Sequence, residues 1–345
     1  GQELAGLNGL LADYGVPPLP KLGAFDASAT VIGDVGGRLS ANAIAAELGS
    51  SKLLHVVAEG VVGDLLAQEG IDIRIAVDGQ EIGRLSDLSL SQGGPDIPAL
   101  GPYAVKLAVK GNAAGPLQLP SFDIQLGDGK TVQLAAAGAV DDVLTQAGVR
   151  ADVRAQIPNL ERLSKAAGQK LPPLGPISLQ AKASSSDGGG RIDLSDLALR
   201  AGRSDLGGRA SIDLSGARPS LTADLTSDFV DTNELKILAG ASAGGANAAA
   251  GGKAPAGNKS GQSGSSQAAA GDGRLFSAVP LPLDSFTLVD AEVKLAAARA
   301  AIARTELRDM KLAAVLKNGR LDVSELALRD KAGGTLDASA VVDAS

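Results

Sequence analysis

The sequence predicts a mostly β protein. We expect an elongated, twisted repeat β-sheet groove of antiparallel strands, with short helices at the repeat junctions and one disordered insert. Three observations carry that expectation. A Pro/Gly junction recurs at near-constant spacing. Apolar and polar residues alternate over many short runs. The apolar residues are mostly small aliphatics.

The junction is plainest at Leu171-Pro172-Pro173-Leu174-Gly175-Pro176, which follows an amphipathic run, Leu160 to Lys170, and opens an alternating run, Ile177 to Ala183. Leu19-Pro20-Lys21-Leu22-Gly23 precedes Phe25 to Val31 in the same way, and Ile97-Pro98-Ala99-Leu100-Gly101-Pro102 precedes Tyr103 to Val109. The glycines lie 78 residues apart (101 − 23) and then 74 apart (175 − 101). Gly1-Gln2-Glu3-Leu4 returns as Gly79-Gln80-Glu81-Ile82, again 78 apart. A unit of this kind cannot bury one face alone and must stack on its neighbours. The expected units are 1–96, 97–170 and 171–238, then an insert at 239–273 and a C-terminal repeat at 274–345.

Within the first unit, residues 3 to 15 read as a short helix ended by Gly15 and Pro17-Pro18. Phe25, Ala27, Ala29 and Val31 alternate with polar residues, which is strand period. Further strands are expected around Leu39, Ile44 to Leu48 and Leu54 to Ala58, then a short helical turn from Val61 to Gln68. Ile71, Ile73, Ile75 and Val77 close the unit as a strand. The second unit repeats the order with Val105, Leu107 and Val109, then Phe122 to Leu126, an Asp128-Gly129 hairpin turn, and Val149, Ala151, Val153 and Ala155. The third gives Ile177 to Ala183, a glycine turn at 188–190, and Ile192 and Leu194. A shift of phase at Ser195-Asp196 follows, then Ile212, Leu214, Leu221 and Leu225.

Residues 239 to 273 are almost wholly Gly, Ala, Ser, Gln and Asn, a composition that reads as a flexible or disordered insert. The β pattern resumes with Val289, Ala291, Val293 and Leu295, and continues through Met310 to Ala314, an Asn318-Gly319 hairpin dipeptide, and Leu336 to Val342.

The whole-chain counts narrow the function. A net charge of −7, from 32 Lys+Arg against 39 Asp+Glu, disfavours nucleic acid and anionic membrane surfaces as electrostatic partners. No cysteine is present, so neither a disulfide framework nor a thiolate zinc site is expected. No run of about 18 apolar residues suggests a transmembrane helix, and no signal peptide is visible. The chain begins at Gly1 inside a repeat and ends in a strand-like pattern, so we take it for a fragment. With 2 Tyr, 5 Phe and no Trp, it lacks the large aromatics that usually fill a closed sandwich.

Catalysis needs convergent groups, and few are legible. The single His55 sits on the polar phase of Leu53-Leu54-His55-Val56-Val57 and reads as a solvent-facing strand residue without partners. No Gly-x-Ser-x-Gly elbow is present for a serine nucleophile. We expect no enzyme activity, no catalytic residue, no metal and no cofactor. What remains is one long apolar face. Alternation reports only that this face is dry, so it is either a closed core or an open groove for an apolar ligand.

The segment Asp196-Leu197-Ala198-Leu199-Arg200-Ala201-Gly202-Arg203-Ser204-Asp205-Leu206-Gly207-Gly208-Arg209-Ala210-Ser211-Ile212-Asp213-Leu214 runs on to Pro219-Ser220-Leu221-Thr222-Ala223-Asp224-Leu225. It resembles the AsmA family, in which a Gly-x-Ser-x-x-Gly strand turn precedes a Pro-x-Leu-x-Ala-x-Leu strand. The tail is similar to that family's C-terminal region at Pro282-Leu283-Asp284, at Asn318-Gly319-Arg320-Leu321, and at Ala332-Gly333-Gly334-Thr335-Leu336 leading to Asp343-Ala344-Ser345. The likeness covers about residues 190 to 345, and the earlier repeats by architecture only.

The resemblance implies a protein of the Gram-negative envelope, anchored in the inner membrane by an N-terminal helix absent from this chain, with a large periplasmic part. That part would be a repeating β-groove akin to bridge-like lipid transfer proteins. It would move phospholipids between inner and outer membrane and support outer-membrane assembly, with envelope proteins as possible partners. The alternative is a periplasmic assembly scaffold that influences outer-membrane protein insertion without carrying lipid. For the groove, the expected lining is Ile71, Ile73, Ile75, Val77, Val105, Leu107, Val109, Val149, Ala151, Val153, Ile192, Leu194, Ile212, Leu214, Leu221, Leu225, Val289, Ala291, Val293 and Leu295. We expect these on a concave apolar face, with the charged residues on the convex side.

Overall fold

The computed structural model describes residues 1–2, 22–34, 37–86, 94, 96–168, 170–234, 289–302 and 305–343. They form one open, mostly antiparallel sheet. Its strands are β1 (Phe25–Gly33), β2 (Leu39–Ser50), β3 (Leu54–Asp64), β4 (Glu69–Gly79), β5 (Tyr103–Gly111) and β6 (Leu117–Leu126). Next come β7 (Gln133–Val140), β8 (Arg150–Ile157), β9 (Ile177–Ser186), β10 (Arg191–Ala201), β11 (Ser204–Asp213) and β12 (Ser220–Ser227). The last are β13 (Val230–Asp231), β14 (Asp290–Ile302), β15 (Thr305–Lys317), β16 (Arg320–Asp330) and β17 (Thr335–Asp343).

From β1 to β12 every strand pairs antiparallel with the next, as a meander. β12 and its short continuation β13 then lie parallel to β14. A parallel pair needs a return connection to the far end of the strands, and residues 235–288 lie within it, outside the described residues. The expected insert at 239–273 and the expected helix at 3–15 lie outside the described residues. β14 to β17 resume the meander. Among the described strands, β1 and β17 each pair on one side only.

The repeat seen in the sequence is a repeat of backbone conformation. Gly23, Gly101 and Gly175 all have positive φ (96°, 103° and 159°). The carbonyl that follows each one, on Ala24, Pro102 and Pro176, accepts a hydrogen bond from Gly49, Gly127 and Gly202 respectively. These junctions sit at one end of the strands, and one of them holds a buried cluster. Leu160, Leu171 and Leu174 pack on Ile177 and Ala201. Further along, Val230 packs on Ala297, Ala300 and Met310. The amphipathic run after Leu160 forms only a single 3-10 turn, Leu160–Leu163, capped by the Asn159 side chain. Among the described residues no helix is long and apolar enough to cross a membrane.

One expectation is corrected. Val61 to Gln68 is no helical turn: β3 continues to Asp64, and a tight turn fills 65–68. The Asp64 carboxylate accepts from the Leu66 and Ala67 amides, as at a helix start, but Gln68 and Gly70, at φ 56° and 68°, turn the chain straight into β4 before a helical turn can continue. The phase shift at Ser195-Asp196 is a β-bulge, with Asp196 at φ 50° and a register jump between Leu194 and Leu197. Ala43 and Asp309 hold equivalent positive-φ positions at the bulges of β2 and β15.

Candidate functional site

Register decides which side chains share a face. Residues directly opposite one another in a ladder point the same way, so a row can be followed from strand to strand. One row runs Phe25, Leu48, Val56, Val77, Val105, Ile124, Ala136, Val153, Ala181 from β1 to β9. A second runs Ala151, Ala183, Leu194, Ala210, Ala223, Val293, Ala314, Val323, Ala340 from β8 to β17. A third runs Ile192, Ile212, Leu221, Ala291, Leu316, Leu321, Val342. Ile73 stands across from Val109, Ile75 from Leu107, and Leu225 from Leu295, while Ile71 faces Gly111.

The expected lining residues therefore lie on one apolar face, with three departures. Val149 and Val289 sit one residue ahead of β8 and β14. Leu214 lies one residue past β11, in a turn, and is 51% exposed. The face also holds residues the sequence reading left out of the lining: Phe25, Leu48, Val56, Phe122, Ile124, Leu312, Leu316, Leu321 and Val323. The alternation of Phe122 to Leu126 could have found two of them, Phe122 and Ile124.

This face is dry but unsealed. Most of its Val, Ile and Leu side chains are half-buried, and Ile124 and Leu134 are 40% and 37% exposed. Packing contacts run between neighbouring strands, and no described element lies across the face as a second layer. Alanine, one methyl long, measures the shielding. On the apolar face Ala41, Ala181, Ala223 and Ala297 are buried, at 3%, 8%, 7% and 3% exposure. On the opposite face Ala45, Ala137, Ala198 and Ala296 are exposed, while Ala76, Ala108 and Ala139 are half-buried; on the apolar face Ala340, in the edge strand β17, is exposed.

That opposite face is charged. Glu59 stands across from Arg74, Lys106 from Asp123, Asp152 from Lys182, and Asp224 from both Arg209 and Lys294. Cross-strand pairs of opposite sign support the register, and each exposed pair adds little stability. Surface depressions lie on this side, the one expected to be convex. One is floored by Ala76 and Ala108 and rimmed by Glu59, Arg74, Lys106 and Asp123. Another lies among Ala137, Ala139, Arg150, Asp152 and Lys182. Both are framed by long charged side chains above alanines.

His55 also lies on the charged face, as its phase predicts, but it is not without partners. Its Nδ1 is 3.0 Å from Asp78 Oδ1 and its Nε2 is 3.0 Å from Glu47 Oε1. Hydrogen bonds to Glu47 first, and then to Asp78, raise its pKa above 6.5. Asp78, held chiefly by Ser51 and then by His55, titrates below the ordinary carboxylate range. The three groups satisfy one another across β2, β3 and β4. Among the described residues no group of His, Cys, Asp and Glu is placed to hold a metal ion.

Comparison with protein-family models, with curated proteins and with solved structures finds no match.

Proposed function

We propose that this protein binds lipid acyl chains along the apolar face of its sheet and conveys phospholipids between the inner and outer membranes of a Gram-negative envelope. The observation that carries this reading is the apolar rows running unbroken through successive strands while no described element seals them. A soluble protein does not ordinarily leave a contiguous apolar surface of this extent in water without an occupant. Acyl chains lying on Val, Ile, Leu and Ala side chains are retained by burial at about 25 cal/mol per Å², with headgroups left in water. At roughly 4.8 Å per strand, the sheet's long strands span about 75 Å, room for several lipids in file.

The periplasmic setting, the inner-membrane attachment and the supporting role in outer-membrane assembly rest on the likeness of residues 190–345 to the AsmA family. The scaffold alternative uses the same sheet as a closed core, and the unsealed face weighs against it. The mechanism is physical: no bond is made or broken, and the chain supplies a continuous low-polarity surface. The test is mass spectrometry of lipids co-purified with the protein from a bacterial envelope. Stoichiometric phospholipid supports the reading, and protein free of lipid in a detergent-free preparation overturns it.

A further inference from the structure

The two long edges of the sheet differ. At the junction edge, Leu160, Leu171 and Leu174 fold over the ends of β9 and β10, and Tyr103 closes the end of β4. At the opposite, turn edge, apolar side chains project. Leu65 and Leu66 are 39% and 63% exposed, and Val143 and Leu144 are 37% and 60% exposed. Single exposed leucines are ordinary. These are not single.

Asp64-Leu65-Leu66 and Asp142-Val143-Leu144 lie 78 residues apart (142 − 64) and share one construction. In each, the aspartate Oδ1 accepts from the amide two residues on, at 3.0 Å. The first apolar amide donates to a carbonyl on the preceding strand, Leu65 to Leu39 at 2.6 Å and Val143 to Leu117 at 2.7 Å. Gln68 and Gln146 have φ 56° and 57°, and Gly70 and Gly148 have φ 68° and 66°. Asp213-Leu214 builds a third, shorter tip. The Ser215 amide donates to Asp213 Oδ1 at 2.9 Å, and Leu214 donates to the Gly190 carbonyl at 2.7 Å. The tips recur every four strands, which is about 19 Å along the edge. Arginine stands at the base of each: Arg38 is 3.6 Å from Asp64, Arg150 forks onto Asp141, and Arg191, opposite Asp213 in the ladder, bonds Asp193 at 3.1 Å. A carboxylate offset by a guanidinium beneath an apolar tip suits a phospholipid interface, where arginine meets phosphate and leucine meets the acyl boundary.

We infer that acyl chains pass between the apolar face and a bilayer over the turn edge, with these tips as the points that touch the bilayer. This rests on the lipid-binding reading above. The test follows transfer of a fluorescent-tailed phospholipid from phosphatidylcholine vesicles to the protein. The variants are Leu66→Asp with Leu144→Asp, and Leu66→Ser with Leu144→Ser. Exposed positions at the junction edge, Ala99→Asp with Ala167→Asp, serve as controls, and circular dichroism confirms the fold of each variant. The transfer rate of both tip variants is expected to fall about tenfold, because the apolar encounter is lost. Lipid held at saturation should stay at the wild-type level, and the junction-edge controls should load normally. Tip variants that load at the wild-type rate, or controls that slow equally, overturn the inference alone. A wild-type protein that takes up no lipid sinks the lipid-binding reading and the inference with it.

Discussion

The ring of Tyr103 lies over Gly79, its neighbour across the β4–β5 pair, and its hydroxyl donates to the Leu53 carbonyl at 2.9 Å. A methyl on Gly79 would stand 2.5 Å from the ring and 2.6 Å from that carbonyl. Gly1 and Phe25 repeat the arrangement one unit earlier, with the Phe25 amide donating to the Gly1 carbonyl at 2.9 Å. An aromatic over a bare glycine backbone thus closes the junction end of both units.

Gly79→Ala is therefore expected to destabilise the protein by about 1–3 kcal/mol, the usual range for forcing a methyl into packed surroundings. Urea unfolding measures it. Gly63→Ala is the control, since a methyl there meets nothing nearer than 3.4 Å, and it should be near neutral.

Gly138 makes a second test of the repeat. It is Gly60 displaced by one period of 78 (138 − 60). A methyl at Gly138 would lie 1.9 Å from the Arg150 carbonyl, and one at Gly60 would lie 2.2 Å from the Asp72 carbonyl. Both obstacles are the backbone of a paired strand, which cannot swing aside. Either alanine substitution should lower the urea midpoint, by about 1–3 kcal/mol in unfolding free energy.

His55 gives a pH signature. Its folded pKa is raised above 6.5 by Glu47 and Asp78. The imidazolium therefore binds its proton more tightly folded than unfolded. That contribution is complete below pH 6.5 and is lost as pH rises through the folded value. Urea midpoints across this window should fall more in the wild type than in His55→Gln. Lipid binding should not change, because His55 is on the charged face.

Much of this was legible in the residues. Asn318-Gly319 predicted a hairpin turn, and both residues have positive φ, 54° and 82°. The change of phase at Ser195-Asp196 marked a bulge before any register was known. Other features could not be read. The contact of His55 with Glu47 and Asp78 depends on how three strands are aligned, which alternation within each strand does not fix. Leu65-Leu66-Ala67 are good helix formers, and the positive φ of Gln68 and Gly70, 56° and 68°, makes them a turn. Alanine-rich β7 carries too little contrast in hydropathy for its face to be assigned from sequence. Whether the dry face was sealed could not be known from period two alone, since a core and a trough alternate alike.

That last distinction yields the most direct measurement. Ala151 and Ala291 point into the apolar rows, whereas Ala296 lies exposed on the charged face beside Lys311. Ala151→Asp, Ala291→Asp and the control Ala296→Asp are each purified from a bacterial envelope, checked by circular dichroism, and analysed for bound lipid by mass spectrometry. In an unsealed trough the new carboxylate still reaches water, so folding survives, but it lies where an acyl chain would sit and loses hydration when one does. The expected result is folded Ala151→Asp and Ala291→Asp proteins depleted of phospholipid, with Ala296→Asp loaded as the wild type. Unfolded variants would instead mark a closed core, and folded variants carrying the wild-type amount of lipid would contradict the assignment of this face.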